Sequence, residues 1–125
     1  MSSGGTTHWP VELRLKRSEK LIEIAFDDGR SFRLPAEYLR VESPSAEVQG
    51  HGAGPKTLVH GRAHVGIIGL DPVGNYAVRI TFDDLHDTGI YSWQLLYDLG
   101  REQDTRWQRY VDALAAKGLS REPKR

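Results

Sequence analysis

The chain has 125 residues, no cysteine, and 17 basic side chains balanced by 17 acidic ones. That length suits one domain that buries about two-thirds of its unfolded surface and folds without staples. Without cysteine there are no disulfides, thiolate nucleophiles, conventional iron–sulfur ligands or Cys-containing zinc sites, and the even charge argues against a broad nucleic-acid footprint.

Residues 1–8 read as a flexible leader with neither the basic start nor the apolar middle of a signal peptide. No apolar run approaches the ~20 residues that span a bilayer, so a cytoplasmic protein with no membrane partner is expected. Val11, Leu13 and Leu15 alternate with Glu12, Arg14 and Lys16, the period-two pattern of a half-buried strand. After a polar turn, Ile22, Ile24 and Phe26 repeat it. Asp28-Gly29 is a hairpin signal, since glycine tolerates the positive φ of such turns. Phe32 and Leu34 continue a third strand, completing an antiparallel meander with one apolar face.

Pro35 suits the first position of a short helix through Leu39. From Glu42 to Gly61 the pattern gives way to glycine and proline, a connection of roughly 20 residues, and connections that long are usually functional or mobile. Strands resume at Val65 to Leu70 and, after a turn at Pro72-Val73-Gly74-Asn75, at Tyr76 to Phe82, giving a second hairpin. Ser92 is a fitting N-cap for a helix that carries Trp93, Leu96 and Tyr97 on one face and stops at Gly100. Asp104 is expected to cap the last helix, in which Trp107, Tyr110, Val111, Leu114 and Ala115 form the apolar stripe and Gly118 the stop. The expected fold class is α+β, an antiparallel meander and a second hairpin with two helices packed on the sheet. One domain spans 9–118, and 119–125 is read as a flexible tail.

Two segments carry a resemblance. Leu39-Arg40-Val41-Glu42-Ser43-Pro44-Ser45-Ala46-Glu47-Val48, followed by His51-Gly52, and Phe82-Asp83-Asp84-Leu85-His86-Asp87-Thr88-Gly89-Ile90-Tyr91-Ser92-Trp93 resemble the two signatures of the gamma-butyrobetaine hydroxylase-like N-terminal domain family. The resemblance spans about residues 9 to 115. In eukaryotic hydroxylases this module precedes a catalytic iron/2-oxoglutarate domain and binds zinc through three cysteines and a histidine. Carried over, the histidine is His86, while the cysteine positions fall on Ser43, Ser45 and Val48, which supply no thiolate. The chain looks like the stand-alone bacterial type of the domain, whose relatives in plants are fused to iron–sulfur carrier ATPases. The resemblance implies an accessory role, with iron–sulfur or iron handling as one setting and regulation in trans of an iron/2-oxoglutarate oxygenase as another.

The residues themselves offer two kinds of site. His86, His51, Asp83 and Asp87, with Asp84 and Glu47 nearby in sequence, are the donors available to zinc or iron. The alternative is that His86 orients the turn while the aspartates cap backbone N–H groups. His60 and His64 have the spacing of ligands on one helix face, but Gly61 and the following β-rich run remove its meaning. His86 with Asp83 or Asp87 could serve as an acid–base pair, yet no activated nucleophile accompanies it, and Gly50-His51-Gly52-Ala53-Gly54 lacks the Lys-Ser/Thr ending of a P-loop. The expectation is therefore a non-enzymatic domain without a required cofactor. It binds a protein partner through His86, Asp87, Tyr91, Trp9, Ser43 and Ser45, with Trp9 and Tyr91 as partly exposed aromatic contacts. The arginines, Arg40 and Arg62 among them, read as a scattered solvated surface.

Overall fold

The computed structural model describes residues 8–44, 58–84 and 89–123. The period-two alternation of the first third becomes an antiparallel sheet of β1 (Pro10–Lys16), β2 (Leu21–Phe26) and β3 (Ser31–Pro35), paired in that order. A short helix, α1 (Ala36–Val41), follows. The second sheet is β4 (Ile67–Val73), β5 (Ala77–Phe82) and β6 (Gly89–Ser92), also antiparallel and in chain order. Two helices, α2 (Trp93–Arg101) and α3 (Gln103–Lys117), complete the described elements. The α+β class expected from sequence is the class observed, but as two sheets rather than one.

Alternation places Ile22, Ile24 and Phe26 of β2 and Leu34 of β3 on one side, where they are buried. Ile80 and Phe82 of β5, Tyr91 of β6 and Leu96 and Leu99 of α2 close over them in one core cluster. Each such side chain contributes on the order of 1.5–3 kcal/mol by leaving water. The hairpin between β2 and β3 turns at Asp28-Gly29, with Gly29 at φ +91° and the Phe26 N–H donating to Arg30 O.

Several boundaries differ from the sequence reading, each for a local reason. Val11 is 66% exposed instead of facing the core, because the β1–β2 register slips between Pro10 and Glu12 and turns its side chain outward. Pro35 keeps extended backbone, φ −66° and ψ 149°, so it ends β3 and α1 begins at Ala36 and runs on to Val41. β4 runs to Val73, taking in Pro72, which an edge strand accepts because it needs no inward N–H there. Gly89–Ser92 is a strand, Tyr91 pairing with Val78 and Ile90 with Arg79, where the sequence suggested only a junction. Ser92 does cap α2, its Oγ accepting from Leu95 N at 3.1 Å.

Gly100 does not end α2. The helix passes through it to Arg101, and a Cβ at Gly100 would lie 2.3 Å from Phe32 Cγ. The residue is glycine because α2 packs directly on the ring from β3. Asp104 is not the cap of α3 either. Glu102, at φ −105° and ψ 18°, is the hinge between α2 and α3, and Asp104 sits in the first turn where its charge suits the helix dipole. Gly118 does end α3, at φ +66°.

The tail beyond Gly118 was expected to be loose, yet its described residues are tied down. Gly61 N donates to Ser120 O and Ala63 N to Arg121 O, both at 2.9 Å. At the other terminus His8 stacks on Tyr97, ring centroids 3.7 Å apart and planes 7° from parallel. Tyr97 meets Phe26 and Phe32 edge-on, and its hydroxyl donates to Asp28 Oδ2 at 2.6 Å.

Gly100→Ala is expected to lower stability by about 1–3 kcal/mol, because Phe32 must move to admit the methyl group. An unchanged urea midpoint would contradict the close packing of α2 on β3. The Tyr97–Asp28 bond gives a pH signature. Hydrogen bonding to Tyr97 and then to the Arg30 N–H holds Asp28 below its ordinary value, while the same bond to Asp28, followed by burial, raises Tyr97. The aspartate contribution is present above the ordinary carboxylate value and is lost as pH falls through the depressed one. The tyrosine contribution is present below the ordinary phenol value and is lost as pH rises through the raised one. Wild type should therefore melt above Tyr97→Phe between about pH 5 and 9, with the gap narrowing at both extremes. A gap of constant size across the whole pH range would rule out this linkage.

Candidate functional site

The two signature segments meet at the C-terminal end of α1. Arg40 leaves the last turn of that helix and its Nε lies 2.9 Å from Asp84 Oδ2, just past β5. Arg62, from the segment before β4, brings its Nε to 2.7 Å from the same oxygen. Side-chain exposures of 12% for Arg40 and 19% for Asp84 make this pair partly buried, with Arg62 at 37% closing it from the solvent side. Arg62 Nε is buried and finds no well-aligned acceptor there, so its contact with Asp84 is a charge contact rather than a directed hydrogen bond.

Beneath this charged cluster the two segments also touch directly. Ser43 is 2% exposed, and its Oγ lies 2.8 Å from where a Cβ on Gly89 would stand. Tyr91 donates its hydroxyl to Leu39 O at 2.5 Å and is also hydrogen-bonded to Ser43. With its own proton committed to Leu39, the phenol oxygen must accept from the Ser43 hydroxyl. Burial pushes the Tyr91 phenol well above its ordinary value, the Ser43 bond pulling the other way, so it stays protonated across the working pH range.

Asp83 points outward and is exposed, while its N–H donates to Gly66 O at 2.9 Å. With Asp84, Gly61, Arg62, His64 and Pro123 it lines a shallow concavity of about 220 Å³. That is below the roughly 300–1,000 Å³ of pockets that enclose small ligands. On the α3 side, Arg106 bridges Glu42 and Glu102, each at 2.9 Å, and so fastens the chain after α1 to the α2–α3 hinge.

The residues named from sequence are distributed unevenly. Asp83 is at the surface of the convergence. Tyr91 is 0% exposed, which corrects its reading as an exposed aromatic contact, because its ring fills the core while its hydroxyl serves Leu39. Ser43 is likewise buried under the site rather than on it. Trp9 is 44% exposed but pairs its backbone with Asp27, at the opposite end of β1 from Lys16. The length of that strand, roughly 20 Å at 3.3–3.4 Å per residue, separates it from the signatures. His86, His51, Asp87, Ser45, Glu47 and Val48 lie outside the described residues.

Sequence reasoning missed the pairing of Arg40 and Arg62 on Asp84. Nothing in their spacing reveals it, since 44 residues part Arg40 from Asp84. It also offered Asp84 as a metal ligand, but the described contacts of that carboxylate are to two guanidinium groups. Among the described residues no group of three or more His, Asp or Glu side chains is placed to hold a metal ion. The one described residue at a family cysteine position, Ser43, presents a neutral hydroxyl already bonded to Tyr91. It does not fit the thiolate role of the family's zinc site.

The family described as "Gamma-butyrobetaine hydroxylase-like, N-terminal" matches residues 13–97. Similar folds are known from solved structures. A protein determined by solution NMR is 41% identical over 96% of this chain and 94% of that one, with a TM-score of 0.83. Another, also from solution NMR, is 49% identical over 98% of this chain and 92% of that one, with a TM-score of 0.81. A crystal structure of a protein of unknown function from Acidithiobacillus ferrooxidans, assigned to the DUF971 family, is 37% identical over 73% of this chain and 91% of that one, at a TM-score of 0.62. No protein with a curated description matches. With the family match over residues 13–97 and the described parts of both signature segments meeting in the fold, the chain belongs to the gamma-butyrobetaine hydroxylase-like N-terminal domain family, small domains whose function is not known.

Proposed function

We propose that this chain is a non-enzymatic accessory domain that binds a partner protein at the surface where its two signature segments converge. The observation that carries the reading is the double tie between them, Arg40 and Arg62 on one oxygen of Asp84 above Ser43 packed against Gly89. Such ties fix the bases of both segments, so that a partner meets a preorganised surface at little ordering cost. The exposed Asp83 carboxylate and the shallow concavity beside it suit contact with another macromolecule better than enclosure of a substrate. His86 and Asp87 belong to the same signature and join the proposed surface by sequence, whereas Trp9 does not. No described contact favours the metal-module or oxygenase-regulating alternatives.

The test is affinity capture with the full chain, followed by direct binding measurements on each purified partner recovered. Asp83→Ala and His86→Ala should each weaken binding of at least one partner by roughly tenfold or more, as expected when a central interface contact is lost. Arg33→Ala, on the outer face of the first sheet, should leave it unchanged. Equal binding by wild type and all three variants would overturn the proposal.

A further inference from the structure

Residues 120–122 lie against the segment that leads into β4 without forming a strand ladder with it. Ser120 O and Arg121 O accept from Gly61 N and Ala63 N, each at 2.9 Å. Between those two backbone bonds and the body of the protein, Arg121 forms a fork with Glu37 of α1. Its Nε donates to Oε2 at 2.9 Å and its Nη2 to Oε1 at 2.8 Å. The same guanidinium stands over the Trp107 ring of α3, 5.2 Å from its centroid. Glu122 then reaches His64, Oε1 to Nε2 at 2.9 Å. Three separate parts of the fold thus converge on one short segment, which bends at Arg121 and Glu122, the Glu122 N–H donating to Ser120 Oγ at 3.0 Å.

The partners differ in kind on the two sides. Glu37 is a carboxylate only 6% exposed, held on a helix otherwise sunk in the core, so it belongs to the protein body. The tail does not. Ser120 to Pro123 are all exposed, and Leu119 is half-buried, so the segment adds almost nothing to the core. It follows the left-handed stop at Gly118 and lies on the groove much as a bound peptide lies on a receptor. A buried carboxylate left alone is costly, so the groove requires a cation at that point. Two acceptor oxygens and an aromatic face select guanidinium over ammonium.

We infer that the groove bounded by Glu37, Trp107 and Gly61 to His64 is a peptide-binding site for a segment of another protein carrying arginine followed by an acidic residue. The chain's own Arg121-Glu122 is its resident competitor. This surface adjoins the one proposed above and shares Gly61, Arg62 and His64 with it, but rests on different contacts, those of Arg121 and Glu122. Tethering gives the tail a millimolar effective concentration, so a segment in trans occupies the groove only where it binds more tightly than the tail or where the tail is displaced.

The experiment titrates the full chain with a capped Leu-Ser-Arg-Glu-Pro peptide, following the Trp107 indole resonance by NMR. In Arg121→Ala, which vacates the fork, the peptide should bind saturably and at least tenfold more tightly than to wild type. Replacing its arginine by lysine should weaken it at least tenfold. Should the alanine variant fail to fold, the same titration on Arg121→Lys decides. Absence of a saturable shift up to about 10 mM peptide, above the effective concentration of a short tether, would overturn the inference. So would equal affinity for the arginine and lysine peptides. A wild-type dimer that dissociates in Arg121→Ala would instead assign the groove to the tail of a second copy, against the partner named here.

Discussion

A helix of six residues with four buried side chains has to satisfy its polar groups inside the protein, and most of the architecture around α1 can be understood as the means of doing so. The last carbonyls of any helix lack partners within it, and burial makes an unmet acceptor cost about 1–3 kcal/mol. Leu39 O is met by the Tyr91 hydroxyl from the second sheet. Tyr38, on the same helix, donates outward to Leu99 O of α2 at 2.7 Å. Glu37 takes the Arg121 fork from the tail. One short helix is thereby tied to β6, to α2 and to the C-terminal segment, and so joins the two sheets alongside their shared core and the Arg17 bonds to Ile68 O of β4.

The surface consequences follow from that position. Because α1 is fixed, the residues leaving its C-terminal end are fixed as well, and Arg40 can hold Asp84 while Ser43 packs under Gly89. The first signature leaves from this end and the second flanks it, so both begin from a rigid base. One turn earlier along the same helix, on the face that also carries Arg40, Glu37 meets the Arg121 segment. Binding at either surface would be felt by α1, and the Arg62–Asp84 contact links the segment that lines the groove to the signature cluster.

How much of this was legible in the sequence depended on the range of the interaction. The alternation of Ile22, Ile24 and Phe26, the Asp28-Gly29 turn, the Ser92 cap and the Gly118 stop are local features, and each had its expected role. Gly100 misled because a helical glycine reads as a terminator, whereas its cause is the Phe32 ring of a distant strand. Tyr91 misled because an aromatic in a polar signature reads as exposed. Its burial is decided by pairing with Val78 and by a carbonyl 52 residues away. β6, at four residues, is too short for its alternation to register. The Arg121–Glu37 fork spans 84 residues and leaves no local pattern at all.

The claim most open to direct test is that hydroxyl bonding from the second sheet holds α1 in place. Native-state hydrogen exchange on wild type and Tyr91→Phe would decide it, read at the Glu42 amide, which donates to Tyr38 O at 3.0 Å. The account predicts that in wild type this amide exchanges only with global unfolding. In the variant it should open sub-globally, with α1 losing protection before β2 does. Equal protection of α1 in both proteins, or fast exchange of α1 already in wild type, would contradict it.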